Sequence, residues 1–171
     1  MKSAPAKGTT FYVELPLHFA DDLAESQTSK RPKEITSVDL SGIRILLVED
    51  NEINQLIATR ILENAGVSVA VASNGKEGAE IFMTSEEGRF DIIMMDIQMP
   101  VMNGYDAAKR IRTSTHPQAQ TIPIIAMTAN VFADDVKKCL DAGMDAHIAK
   151  PVDTKKLYGV INEYWENRKR K

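Results

Sequence analysis

The polar residues best placed to do chemistry in this 171-residue chain stand directly at the ends of apolar runs. Glu49 and Asp50 follow IRILLV, Asp96 follows DIIMM, Thr128 ends the IPIIAM run and Lys150 ends AHIA. If those runs are parallel strands, all four positions fall on the carboxyl edge of one sheet, where open α/β folds bind ligands. Three carboxylates gathered there repel one another unless a cation sits among them. A hard divalent ion with oxygen ligands resolves the conflict, and Mg²⁺ in particular keeps waters and shares substrate phosphate. Lys150 offers a point charge and Thr128 a hydroxyl donor to phosphoryl oxygens. A carboxylate such as Asp96 can act as a nucleophile and form an acyl phosphate. Phosphoryl transfer asks mainly for positioning and charge neutralisation, so little further machinery is required. Singly, each residue reads as well as a helix cap (Asp50 or Asn51) or a solvated loop group. Their convergence is what favours a site.

The elements that must position them are legible from Gly42 onward. Ile43–Val48, Val67–Val71, Asp91–Met95, Ile122–Met127 and Ala146–Ala149 are short apolar runs without alternation, as in strands buried on both faces. Between them run helical stripes: Ile53, Leu56, Ile57 and Ile61; Phe132, Val136 and Leu140; and Leu157, Val160, Ile161, Tyr164 and Trp165. Tyr164 and Trp165 read as core anchors. Gly66 and Gly143 suit left-handed helix ends, and Asn103-Gly104 marks a turn before the third helix. A β-α unit repeated five times predicts an α/β fold, doubly wound, with a parallel sheet covered on both faces. For strand order 2-1-3-4-5, the reversal lies between the strands carrying Glu49/Asp50 and Asp96.

Upstream the text changes. Thr9–Leu17 alternates Phe11, Val13 and Leu15 as a half-buried strand would, and residues 20–41 are polar and aperiodic, as in a linker. A net charge of −3 argues against a nucleic-acid or anionic-membrane binder, and the basic run Arg168–Lys171 reads as a solvated tail. The single cysteine, Cys139, excludes an intrachain disulfide and reads as a small buried hydrophobe. No apolar run reaches the ~18 residues of a membrane helix.

The segments VEDNEIN (48–54), MMDIQMPVMNG (94–104), MTAN (127–130) and AKPVD (149–153) closely resemble response-regulator receiver domains of two-component signalling, over residues 42 to 166. The resemblance implies a flavodoxin-like (βα)5 fold and a Mg²⁺ (or Mn²⁺) cofactor. It implies Asp96 as phospho-acceptor, Asp50 as direct metal ligand, Glu49 acting through water and the backbone carbonyl of Gln98 completing the protein ligands. Thr128 matches the switch hydroxyl and Lys150 the phosphoryl counter-ion, with Lys150-Pro151 at the family's cis peptide. His147 stands where the family often has a Tyr or Phe that swings inward on activation, so coupling by that route would use different contacts. Gln98 and Asn130 flank the site. A metal-dependent aspartyl phosphatase would want a second aspartate where Gln98 stands.

KGTTFYVELPL (7–17) resembles the final glycine box and last strand of a histidine-kinase ATP-binding domain, with Ala6 where the first glycine is usual. The order implies residues 1–19 as a remnant of that domain, 20–41 as linker and 42–171 as receiver, the C-terminal part of a hybrid histidine kinase. Implied partners are a histidine kinase phosphodonor domain and a histidine phosphotransfer protein, with no nucleic acid and no membrane in this fragment. The implied location is cytoplasmic, the parent kinase being membrane-anchored or not. A receiver promotes its own aspartyl phosphorylation and slow dephosphorylation; the kinase core is not in these residues. A stand-alone response regulator and a non-phosphorylated interaction module are the alternatives.

Overall fold

A computed structural model describes residues 2–4, 8–10, 39–129 and 133–169. The chain divides into two units, Met1–Ile35 and Thr36–Lys171. In the first, β1 (Lys2–Ala4) and β2 (Gly8–Thr10) pair antiparallel, Lys2 opposite Thr10. The rest of the strand expected over Thr9–Leu17 lies outside the described residues, as do Asn130 and Phe132.

The second unit carries β3 (Arg44–Val48), α1 (Glu52–Glu63), β4 (Ser68–Ala72), α2 (Gly75–Met83), β5 (Ile92–Asp96) and α3 (Gly104–Arg112). β6 (Ile124–Thr128), α4 (Ala133–Asp141), β7 (Ala146–Ala149) and α5 (Thr154–Lys169) complete it. All sheet pairs are parallel in the order β4-β3-β5-β6-β7, which is 2-1-3-4-5 counted within the sheet. Side chains alternate between two cores. Leu46, Val48, Ile93 and Met95 pack with Phe82 and Ile111 of α2 and α3 on one face. Ile45, Leu47, Ile92 and Met94 pack with Leu62 and Ile161 of α1 and α5 on the other. Full burial of each such Ile, Leu or Met contributes about 1.5–3 kcal/mol.

Burial on both faces holds for β5 and β6 throughout and for β3 beyond Arg44, but not for the edge strands β4 and β7, which keep exposed residues. An edge has a neighbour on one side only, and the covering helices do not reach past it. The α1 stripe also differs from expectation. Ile53, Leu56 and Ile57 are 68%, 60% and 52% exposed, while Ala58 and Leu62 face the core. Small Ala58 lets the helix approach the sheet closely, and the branched residues fall on a different face. On α4, Leu140 is likewise exposed and Cys139 is buried, its thiol pushed up in pKa by that burial. The α5 stripe packs inward as expected, with Tyr158 added.

Asparagine caps set three helix starts. Asn51, Asn74 and Asn103 each accept backbone N–H bonds from the first turns of α1, α2 and α3. Gly66 and Gly143 both take φ +86, the left-handed conformation expected past a helix end. Leu40, within the stretch read as linker, is buried and its N–H bonds the Ala65 carbonyl at 2.9 Å, so the packed unit begins before Gly42.

Three arginines brace the sheet from its other end and side. Arg168 is no solvated tail residue: with Arg44 it converges on buried Asp91 at 3.2 and 3.0 Å, tying the last turn of α5 to the start of β5. Arg112 donates to the carbonyls of Gly143, Ala119 and Ile122 and pairs with Asp145 at 2.7 Å. Asp145 also accepts from Ile124 N, so this cluster fixes the approach to β7 and hence to Lys150.

Candidate functional site

The register carries Glu49, Asp96, Thr128 and Lys150 to one rim, at the reversal between β3 and β5 and the strands beside it. Glu49, Asp96 and Thr128 are 2%, 6% and 8% exposed, whereas Asp50 is exposed. One oxygen from each of Glu49, Asp50 and Asp96 lies within 4.8 Å of the others. Asn51, not Asp50, caps α1, so the Asp50 carboxylate is not engaged in holding the helix start.

Lys150 Nζ donates to Glu49 Oε2 at 2.6 Å and to Asp96 Oδ2 at 2.7 Å. Burial pushes the lysine's pKa down, but its hydrogen bonds to the Asp96 and Glu49 carboxylates outweigh it, and the ammonium lies above its ordinary 10.5. It is a fixed positive charge at every physiological pH. The Lys150-Pro151 peptide is cis. Lys150 N bonds the Thr128 carbonyl at 2.8 Å, which continues the β6–β7 ladder to the site.

The other Asp96 oxygen, Oδ1, accepts from Gln98 N at 3.3 Å, which puts the Gln98 backbone beside the carboxylate. The loop after Asp96 folds back tightly. Gly104 N bonds Ile97 O at 3.0 Å, and a side chain at Gly104 would press on the Asp96 carbonyl oxygen, so only glycine lets α3 start this close. Within the loop, Met102 N bonds Pro100 O at 2.7 Å across Val101, whose φ is +67 and whose side chain stands 80% exposed.

Two hollows open from the site. One of about 430 Å³ runs from Thr128 and Gln98 past Tyr105 to Lys138. The other, about 180 Å³, is lined by Glu49, Lys150, Asn54, Ile57 and Val152. His147 does not join the carboxylates. It is half-buried on β7 and lines a separate cavity of about 620 Å³ with Asp153, Lys156 and Glu163.

Two site residues were not singled out from sequence. Asn54 Nδ2 donates to Glu49 Oε1 at 2.8 Å, and Gln55 Nε2 donates to the Glu49 carbonyl at 2.6 Å. The available signal was their place in the first turn after the acidic pair. A set of three oxygen-donor side chains, one of them exposed, with no imidazole or thiolate among them, suits a hard divalent ion rather than a soft one.

A doubly wound parallel sheet in the order 2-1-3-4-5 defines the flavodoxin-like class of fold. The family model described as response regulator receiver domain matches residues 45–162, and the chain belongs to that family. It is 35% identical over 166 residues to the aerobic respiration control sensor protein ArcB of Escherichia coli K12, covering 97% of this chain and 20% of that protein. It is 34% identical over 142 residues to hybrid signal transduction histidine kinase I of Dictyostelium discoideum, covering 82% of this chain and 8% of that one. The chain thus spans a fifth or less of the curated relatives named here. Among solved structures it resembles the receiver domain of sensor histidine kinase PA1611 from Pseudomonas aeruginosa, which has a magnesium ion coordinated in its active-site cleft. That likeness has TM-score 0.65 and 35% identity over 72% of this chain and 98% of that one. It also resembles the Saccharomyces cerevisiae Ssk1 receiver domain, co-crystallised with the histidine phosphotransfer protein Ypd1, at TM-score 0.62 and 35% identity over 71% of this chain and 88% of that one.

Proposed function

We propose that this receiver accepts a phosphoryl group from a phosphohistidine onto Asp96 and then switches conformation or relays the group to a histidine phosphotransfer protein. The observation that carries the reading is the lysine bridge: one ammonium bonded to both Asp96 and Glu49, with Asp50 in reach of the same point. Asp50, Asp96 and the Gln98 carbonyl would hold Mg²⁺ (or Mn²⁺) directly, and Glu49 would act through water. When bound, the ion neutralises charge on the transferring phosphoryl oxygens. An Asp96 carboxylate oxygen attacks phosphorus, the P–N bond to the donor imidazole breaks, and the imidazole leaves with the bonding pair. Lys150 then turns from the carboxylates to a phosphoryl oxygen, and Thr128 donates to another. Asp96 gains roughly −1.5 to −2 of charge, enough to reorder the groups that face it. His147 is assigned to the switch together with Thr128.

Incubated with Mg²⁺ and a small acyl phosphate or phosphoramidate, the protein should form an acid-stable, alkali-labile adduct on Asp96. Chelator should abolish it. An adduct that forms in chelator, or on another residue, refutes the assignment.

The exposed Ile53, Leu56 and Ile57 on α1, beside the hollow that holds Glu49 and Lys150, are assigned as the docking face for the phosphotransfer protein. The Ssk1 receiver's complex with Ypd1 supports that class of partner. Leu56→Glu with Ile57→Glu should slow phosphoryl exchange with such a protein by ~10-fold or more, as loss of interface anchors does, while labelling by the small donor is unchanged. Equal loss with both donors would refute docking here.

Residues 1–19 are assigned to the end of a histidine-kinase ATP-binding domain and 20–41 to a linker, a reading supported by the ArcB match across 97% of the chain. The parent would be a hybrid histidine kinase with this receiver in the cytoplasm. Among the described residues no helix is long and apolar enough to cross a membrane.

A further inference from the structure

Glu49 is almost wholly buried, and each of its carboxylate oxygens has one close protein donor: Asn54 Nδ2 at 2.8 Å on Oε1 and Lys150 Nζ at 2.6 Å on Oε2. The two donors are not equivalent. Lys150 is shared with Asp96 at 2.7 Å and sits on a long, flexible stem. Asn54 is fixed at its root, because its backbone N–H bonds the Asn51 cap at 3.1 Å. Its neighbour Gln55 holds the Glu49 carbonyl at 2.6 Å, so the first turn of α1 grips this glutamate at both its main chain and its side chain.

We propose that Asn54 is a positioning residue of the cation site, the standing partner that keeps the Glu49 carboxylate aimed at the cleft whether or not Lys150 is bonded to it. The inference rests on reading the acidic cluster as a divalent-cation site. A glutamate has one more rotatable bond than an aspartate, so a water-mediated role demands that something other than the ion fix its carboxylate. A buried carboxylate that lost Lys150 to a phosphoryl oxygen would lose a charge-assisted bond, and leaving it wholly unpartnered is strongly unfavourable. The Asn54 amide keeps one oxygen satisfied through that exchange. Outer partners that orient metal-binding groups typically change metal affinity by about 10–100-fold when removed.

Magnesium titration by calorimetry of wild type, Asn54→Ala, Glu49→Ala and the double variant tests this, with unfolding in chelator as a control. Asn54→Ala should raise the Mg²⁺ Kd about 10-fold, and any fall in its unfolding midpoint in chelator should vanish, like the affinity effect, once Glu49 is replaced. In the Glu49→Ala background the same substitution should do nothing further. A wild-type Kd for Asn54→Ala overturns the proposal, as does a loss that persists without Glu49, which would route the effect elsewhere. A midpoint in chelator that falls equally in the Glu49→Ala background also overturns it, since Asn54 would then be holding the fold rather than the carboxylate. Failure of the wild type itself to bind Mg²⁺ would remove the cation reading and this inference together, whereas wild-type binding with an unaltered variant removes only the role of Asn54.

Discussion

Asp96→Asn should yield a protein that takes no phosphoryl group from any donor yet melts, in chelator, a few degrees above its parent. The loss follows because an amide oxygen does not act as the carboxylate nucleophile does. The gain is a matter of magnitudes. Asp96 and Glu49 are both buried, and with Asp50 they set three carboxylates against the one ammonium of Lys150. Two like charges near 4–5 Å repel by about 3–4 kcal/mol at an effective dielectric of 20. The charge-assisted bond from Lys150 to Asp96 contributes about 1.5–3 kcal/mol, part of which an Asn oxygen retains. Repulsion relieved exceeds attraction lost by roughly 1 kcal/mol, which for a domain of this size is about 2–4 °C. Mg²⁺ should raise the melting temperature of the parent and barely move that of the variant. Labelling retained in Asp96→Asn, or a melt below the parent, would contradict the electrostatic account.

Asp91→Ala should destabilise the domain substantially without touching the chemistry. Its oxygens accept Arg44 N at 2.9 Å, Arg44 Nε and Nη2 at 3.0 Å and Arg168 Nη1 at 3.2 Å. Breaking a fully buried ion pair costs about 3–5 kcal/mol, but the Arg44 and Arg168 side chains are 43% and 31% exposed and can turn to water. What stays unmet is chiefly the Arg44 backbone N–H at the sheet's start; Arg168 still reaches the Phe90 and Asp91 carbonyls at 3.3 and 3.1 Å, so α5 keeps part of its tether. We expect about 2–3 kcal/mol, or roughly 5–10 °C in melting temperature. Small-donor labelling of the folded variant at 25 °C should be unaffected. A drop under one degree would mean the clamp is ornamental; lost labelling would mean that the two ends of β5 communicate.

The sheet and the rim residues were readable because buried strands leave a plain trace: unbroken apolar runs whose first polar residue marks the edge. That is why Glu49, Asp50, Asp96, Thr128 and Lys150 emerged from order alone. Helix faces leave a weaker trace. Periodicity finds the apolar side of α1 but does not distinguish residues packed on the sheet from residues left on the surface: Ile53, Leu56 and Ile57 share one stripe, yet Ala58 and Leu62 do the packing. Asp91 was absorbed into an apolar run and Arg168 into a basic tail, although they meet across 77 residues of sequence. Long-range polar pairs have no periodic signature. Asn54 was obscured by Asn51, whose capping role is the commoner use of asparagine at a helix start.

The hydrogen bond across Val101 closes a three-residue γ-turn around a β-branched residue at φ +67. This is the rare form of that turn, and a valine resists it. Conformations of this kind store on the order of 1–3 kcal/mol. Between Asp96 and α3, then, the backbone is held like a cocked spring, its tension borne by the Gly104–Ile97 bond and by the packed helix behind it. A segment loaded in that way has few alternative poses to wander among, and any new charge arriving next to it meets main-chain dipoles already committed to one direction.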